Sequence, residues 1–155
     1  MKKDLNALLE KHVNEVEKAA GVLTRSYEKC KGVRVGPGLS EDRLESFEAL
    51  TARFARLSDL LVQKALRTMD ALDLEASGTI RDRINRAEKR GIVRSAETLV
   101  MIRMLRNEIT HEYSPEGILE IFENVLSLTP ELLDAVDGLS QFHRSPDRNK
   151  GSQNP

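Results

Sequence analysis

The chain has 155 residues, of which 32% are charged, 39% hydrophobic and 4% aromatic, with no tryptophan. That length favours one domain with a single core, and that mixture suits amphipathic helices rather than strands. A formal net charge of −1 excludes a general electrostatic grip on nucleic acid, so any such affinity must come from a local patch.

Cys30 is the only cysteine, which excludes an intramolecular disulfide and argues against a zinc site built on thiolates. No apolar run approaches the ~18 residues of a membrane span. The opening MKKDLNALLEKH has neither the apolar run nor the small-residue cleavage site of a signal peptide. The expectation is a protein of the reducing cytoplasm with no membrane partner.

From Leu5 to about Lys31, Leu5, Leu8, Leu9, Val13, Val16, Ala20 and Leu23 recur at steps of three and four, which predicts a helix with one apolar stripe. Residues 32–39, with Gly36-Pro37-Gly38 in the middle, read as a loop. Ser40 is a candidate N-cap, followed by Glu41 and Asp42 where the helix dipole favours anions. A long second helix is expected to about Leu72, burying Leu44, Phe47, Leu50, Phe54, Leu57, Leu61, Ala65 and Met69. Ala76-Ser77-Gly78 ends it.

Ser77 or Thr79 then caps a third helix through Arg90, with Gly91 as its C′ residue. Ser95 caps a fourth helix through Leu99, Ile102, Leu105 and Ile109. Ser114-Pro115-Glu116 stops that helix and starts a fifth, through Ile118, Ile121, Phe122, Val125 and Leu126. Pro130 either kinks the fifth helix or opens a last short one with Leu132, Leu133 and Val136. Residues 1–138 are expected to form one all-α domain, an up-and-down bundle of four or five helices. Residues 139–155 read as a polar, disordered tail.

Chemistry concentrates in the fourth helix. On a regular helix Leu99, Ile102, Leu105 and Ile109 share one side, while Val100, Met104, Asn107 and His111 form a second stripe roughly 150° away. The first stripe suits the core and the second a partner subunit or a cleft. Arg106 and His111 stand about 140° apart and do not meet along the helix surface. Either the arginine reaches round to the groove, or a second copy supplies the complement across a two-fold axis. A histidine ring titrates near neutral pH and can serve as general acid or base. An arginine stays charged and grips phosphate oxygens in pairs. The plain structural reading is that His111 complements the negative end of the helix dipole and Arg106 pairs with a neighbouring carboxylate.

Arg106, His111 and Tyr113 spell R-x-x-x-x-H-x-Y, with the polar Asn107 after the arginine, late in a small helical bundle. This pattern resembles the signature of the HEPN superfamily, and the form with tyrosine resembles the HepT toxins. The flanking Thr79-Ile80-Arg81-Asp82, Gly91-Ile92 and Tyr113-Ser114-Pro115 are similar too, so the resemblance covers roughly residues 44–137. It implies a two-fold homodimer that cleaves RNA, transfer or messenger, without metal or cofactor. Arg106 and His111 would be catalytic and Asn107 supporting. It also implies an MNT-type nucleotidyltransferase as antitoxin, transferring AMP to Tyr113 to block the cleft. Two other readings stand beside it: a non-catalytic subunit that binds nucleotide or substrate for a small nucleotidyltransferase, and a dimerisation scaffold without activity.

Arg81, Arg83, Arg86, Lys89, Arg90 and Arg94 crowd the third helix against only Asp82 and Glu88. With Arg103 on the next helix they are candidate RNA-backbone contacts. The competing reading is a solvated face paired with acids elsewhere, for instance the strip Glu116, Glu120, Glu123, Glu131, Asp134 and Asp137. His12 and His143 have no such context and read as surface residues.

Overall fold

A computed structural model describes residues 1–75, 78–112 and 114–149. Among them the chain is a helical bundle with no strand: α1 (Lys2–Cys30), α2 (Glu41–Asp59), a π-helical turn (Leu60–Ala65), α3 (Leu66–Leu72), α4 (Ile80–Lys89), α5 (Ala96–His111), α6 (Pro115–Arg144) and a 3₁₀ turn (Pro146–Asn149). α2, the π turn and α3 run on as one long helix. α1 packs along this helix and α6, while α5 lies against α2, α4 and α6.

Local chemistry sets the helix starts. The Ser40 hydroxyl accepts from the Arg43 amide at 3.2 Å. Thr79 forms a reciprocal capping box, its hydroxyl accepting from the Asp82 amide and its own amide donating to the Asp82 carboxylate at 2.8 Å. That backbone donor holds the Asp82 carboxyl below its ordinary range. Ser95 and Ser114 cap α5 and α6 in the same way, with Pro115 in the first turn of α6. The Glu88 carboxylate adds a second cap to α5 by accepting from the Ala96 amide. Gly91 takes φ +78 just past α4, a conformation that a Cβ disfavours.

The core draws on every long helix. Leu9, Val16 and Leu23 of α1, Phe47, Phe54 and Leu57 of α2, Leu99 and Ile102 of α5 and Phe122 and Leu132 of α6 are all buried. Phe47 and Phe122 stack with ring centroids 5.1 Å apart, tying α2 to α6. Leu99, Ile102 and Leu105 face inward as their spacing predicts, and Ile109 packs at the core's edge.

Three expectations are corrected here. Pro130 does not open a separate last helix: α6 runs through it, with Val125, Leu132, Ala135 and Val136 buried on both sides and Thr129 Oγ1 donating to the Val125 carbonyl at 2.6 Å. The boundary expected at 138 is passed too: α6 reaches Arg144, Leu139 is fully buried and Phe142 packs against the core. Residues 150–155 lie outside the described residues. Finally, His12 and His143 are not surface side chains; His143 is only 6% exposed, set between Glu10 and Arg148, and His12 lies half-buried near Glu15.

A close crossing fixes α6 against the link between α4 and α5. A Cβ built on Gly138 would overlap the Ile92 carbonyl oxygen, a backbone atom with little room to give way. Gly138→Ala is therefore expected to lower stability by about 3 kcal/mol or more. Urea denaturation reads this directly, and an unchanged midpoint would refute the tight crossing.

Three arginines in and just after α4 are held by acids in and just after α3. Asp70, 1% exposed, accepts from Arg86 and Arg90 at 2.8 Å each, with Arg83 Nε at 3.6 Å. Arg90 also bonds Asp73 at 2.8 Å, and Arg83 donates to the Val62 carbonyl and to Gln63. Burial lowers the pKa of Arg83. Removing the shared carboxylate would strand these guanidinium groups. Asp70→Ala is expected to cost about 3–5 kcal/mol, measurable by the same denaturation.

Candidate functional site

The motif residues sit on the last turns of α5, beside the point where α2 passes into the π turn. Arg106 is clamped there. Its Nε donates to Asp59 Oδ1 at 2.7 Å and its Nη2 to Asp59 Oδ2 at 2.9 Å, a two-point pairing with the last residue of α2. Its Nη1 donates to Thr110 Oγ1 at 2.8 Å, one turn further along α5. Arg103 joins from the preceding turn, donating to Asp59 Oδ1 at 2.8 Å and to the buried Ser58 hydroxyl at 2.9 Å.

Electrostatics match this geometry. The Arg106 hydrogen bonds, opposed by partial burial and helped by Arg103, hold the Asp59 carboxyl below its ordinary range. The same pairing raises the already high pKa of Arg106. A shallow recess of about 420 Å³ opens beside the cluster, lined by Asp59, Gln63, Lys64, Arg103, Arg106 and Asn107. Of the expected motif, Arg106 and Asn107 border this recess. His111 is not among its lining residues; it is exposed in the last turn of α5. Tyr113 lies outside the described residues.

Within one chain, then, the structure brings Arg103, Arg106 and Asn107 together and leaves His111 apart. Of the stripe expected to face a partner, Met104, Asn107 and His111 are exposed while Val100 packs against the core. Met104 is 59% exposed, and Met101, on the same helix but outside the stripe, is 55% exposed. The α5–α6 turn is stapled by Glu112, whose Oε1 accepts from both the amide and the hydroxyl of Ser114 at 2.8 Å.

The candidate RNA-backbone arginines have internal partners. Arg83, Arg86 and Arg90 converge on Asp70, Arg103 on Asp59, and Arg81 Nη2 stands 3.5 Å from Glu97. The neutralising acids come from α2, α3, the residues just after α3 and the first turn of α5, not from the acidic strip of α6. Lys89 and Arg94 stay exposed. Among the described residues no cluster of three or more histidine, cysteine or acidic side chains is placed to hold a metal ion, and no helix is long and apolar enough to cross a membrane.

Asp59 is the site residue that sequence reasoning missed. Its signal was an acid set in the apolar run Leu57-Ser58-Asp59-Leu60-Leu61, where an unpaired charge would be costly. The partner's identity needed the fold, since Asp59 and Arg106 are 47 residues apart in sequence.

No protein-family model, curated protein or solved structure matches the chain.

The depressed Asp59 carboxyl links stability to pH. Its folded pKa lies below its unfolded value, so the pair's contribution is full above about pH 4 and is lost as pH falls through the folded pKa. The stability gap between wild type and Asp59→Asn should therefore be constant near neutrality and close on acidification. Denaturation curves at stepped pH check this, and a gap that persists in acid would contradict the pairing.

Proposed function

We propose that the chain is a metal-independent endoribonuclease toxin of the HepT kind, working as a two-fold homodimer with an MNT-type nucleotidyltransferase as its antitoxin. The observation that carries this reading is the layout of α5. Arg106 and Asn107 border an open recess, His111 is exposed in the last turn, and the neighbouring Met101 and Met104 leave an apolar face uncovered. Met104 and His111 lie about 20° apart round the helix, so a copy seated on the methionines would bring a second His111 close.

In such a dimer the chemistry balances without a metal. One His111 accepts the proton of the ribose 2′-hydroxyl, whose oxygen attacks phosphorus, and the second protonates the departing 5′-oxygen. The O2′–P bond forms as the P–O5′ bond breaks, leaving a 2′,3′-cyclic phosphate. Arg106 holds the non-bridging oxygens after exchanging Asp59 for phosphate, with Asn107 orienting the scissile group. AMP on Tyr113 would place a competing phosphate two residues from His111.

A second reading is a non-catalytic subunit that binds nucleotide beside a nucleotidyltransferase. What favours it is that Nε, Nη1 and Nη2 of Arg106 are all engaged within the chain, and that a single chain does not join Arg106 to His111.

Purified protein, checked for AMP by intact mass, is to be incubated with total and transfer RNA in EDTA. Unmodified wild type should cleave, and folded His111→Ala should lose activity by about 100-fold or more. A dimeric, unmodified wild type that leaves RNA intact would shift the assignment to the nucleotide-binding subunit.

A further inference from the structure

Roughly 20 Å along the second long helix from Asp59, a larger cleft opens where the start of α1, the end of α3, α4 and the 3₁₀ turn meet. It encloses about 880 Å³. Five cations line it: Lys2, Arg86, Lys89, Arg90 and Arg148. The acids in its wall are already matched, Asp73 by Arg90 at 2.8 Å and Glu75 by Arg86 at 3.7 Å, while Asp70 behind the wall serves both arginines. Lys2, Lys89 and Arg148 have no carboxylate within salt-bridge distance among the described residues. Among the described residues the partners of Arg148 are His143 Nδ1 at 2.7 Å, the His143 carbonyl at 3.5 Å and Asn6 Oδ1 at 2.5 Å, none of them a carboxylate. The cleft thus presents a surplus of positive charge.

Its other half is apolar. Leu5, Leu72 and Phe142 line it, and a narrow extension of about 30 Å³ runs inward to Leu9 and Met69. At the rim stands Leu74, in the left-handed region at φ +59 with its side chain 92% exposed. A leucine in that conformation carries backbone strain, and here the strain aims an apolar side chain into water. A ligand lying across the rim would cover it.

We propose that this cleft binds a small amphipathic anion, a carboxylate or phosphate monoester on an apolar body. The head pairs with Lys89, Lys2 and Arg148, and the body lies on Leu5, Leu72 and Phe142 beneath Leu74. Arg86 and Arg90 remain committed to Asp70 and act as fixed background charge. The site is separate from the α5 recess and does not depend on RNA cleavage.

Octyl phosphate and decanoate, each kept below its micellar concentration, serve as probes in isothermal titration against the full chain. Inorganic phosphate and octyl glucoside supply the head alone and the tail alone. Both probes are expected to bind one per chain, at least tenfold more tightly than either control. Lys89→Glu and Leu5→Asp, both in the cleft lining, should each weaken binding by about tenfold, while Lys18→Glu on the far stretch of α1 should leave it unchanged. Circular dichroism melts establish that the variants fold. Absent binding, binding unaltered in both folded cleft variants, or a control that binds as tightly as the probes would overturn the proposal.

Discussion

Two carboxylates on one long helix organise the charged half of this protein. Asp59 gathers Arg103 and Arg106 from α5, and Asp70 gathers Arg83, Arg86 and Arg90 from α4. On an uninterrupted α-helix these two acids, eleven residues apart, would lie only about 20° from each other. The π turn at Leu60–Ala65 stands between them. Inserting the equivalent of one extra residue rotates α3 by roughly 100° relative to α2, so the two acids address different neighbours. α4 and α5 are thereby fastened to one rod at two heights and in two directions.

This arrangement joins folding to the candidate site. α5 is pinned by burial of Leu99, Ile102 and Leu105 on one side and by the Asp59 clamp near its end. Its N-terminus is held by Ser95 and Glu88, and the link before it is pressed against Gly138 of α6. Little slack remains for the backbone that carries Arg106 and Asn107. The solvent side of α5 is left with exposed Met101 and Met104, and those two residues distinguish its outer face from an ordinary charged helix surface.

The helices were legible in the sequence because their signals are local. Ser40, Thr79, Ser95 and Ser114 each bond an amide three residues on, and Gly91 needs only its own positive φ. The inward face of α5 came from period alone. What escaped were features set by distant partners. The π turn has no proline or glycine to mark it. Pro130 offers a kink or a new helix start because its ring removes one hydrogen bond, and α6 continues through it with apolar residues buried on both sides. The basic run of α4 looks like a surface patch until Asp70, buried behind it, is seen to hold three of its arginines. In the motif, the pairing of Arg106 with a carboxylate was open to reasoning, but the identity of that carboxylate was not.

Matching those guanidinium groups in advance has a consequence for ionic strength. An arginine already facing a carboxylate neutralises fewer phosphates of an arriving nucleic acid, so it displaces fewer of the cations condensed on that polyanion. The release that makes association with nucleic acid fall steeply with salt would then be muted. Encounter at the α5 recess would be governed instead by exchange of one anion for another at Arg106, whose partner Asp59 is partly exposed. That exchange favours ligands that offer two oxygens at once, as a phosphate does, over diffuse negative charge.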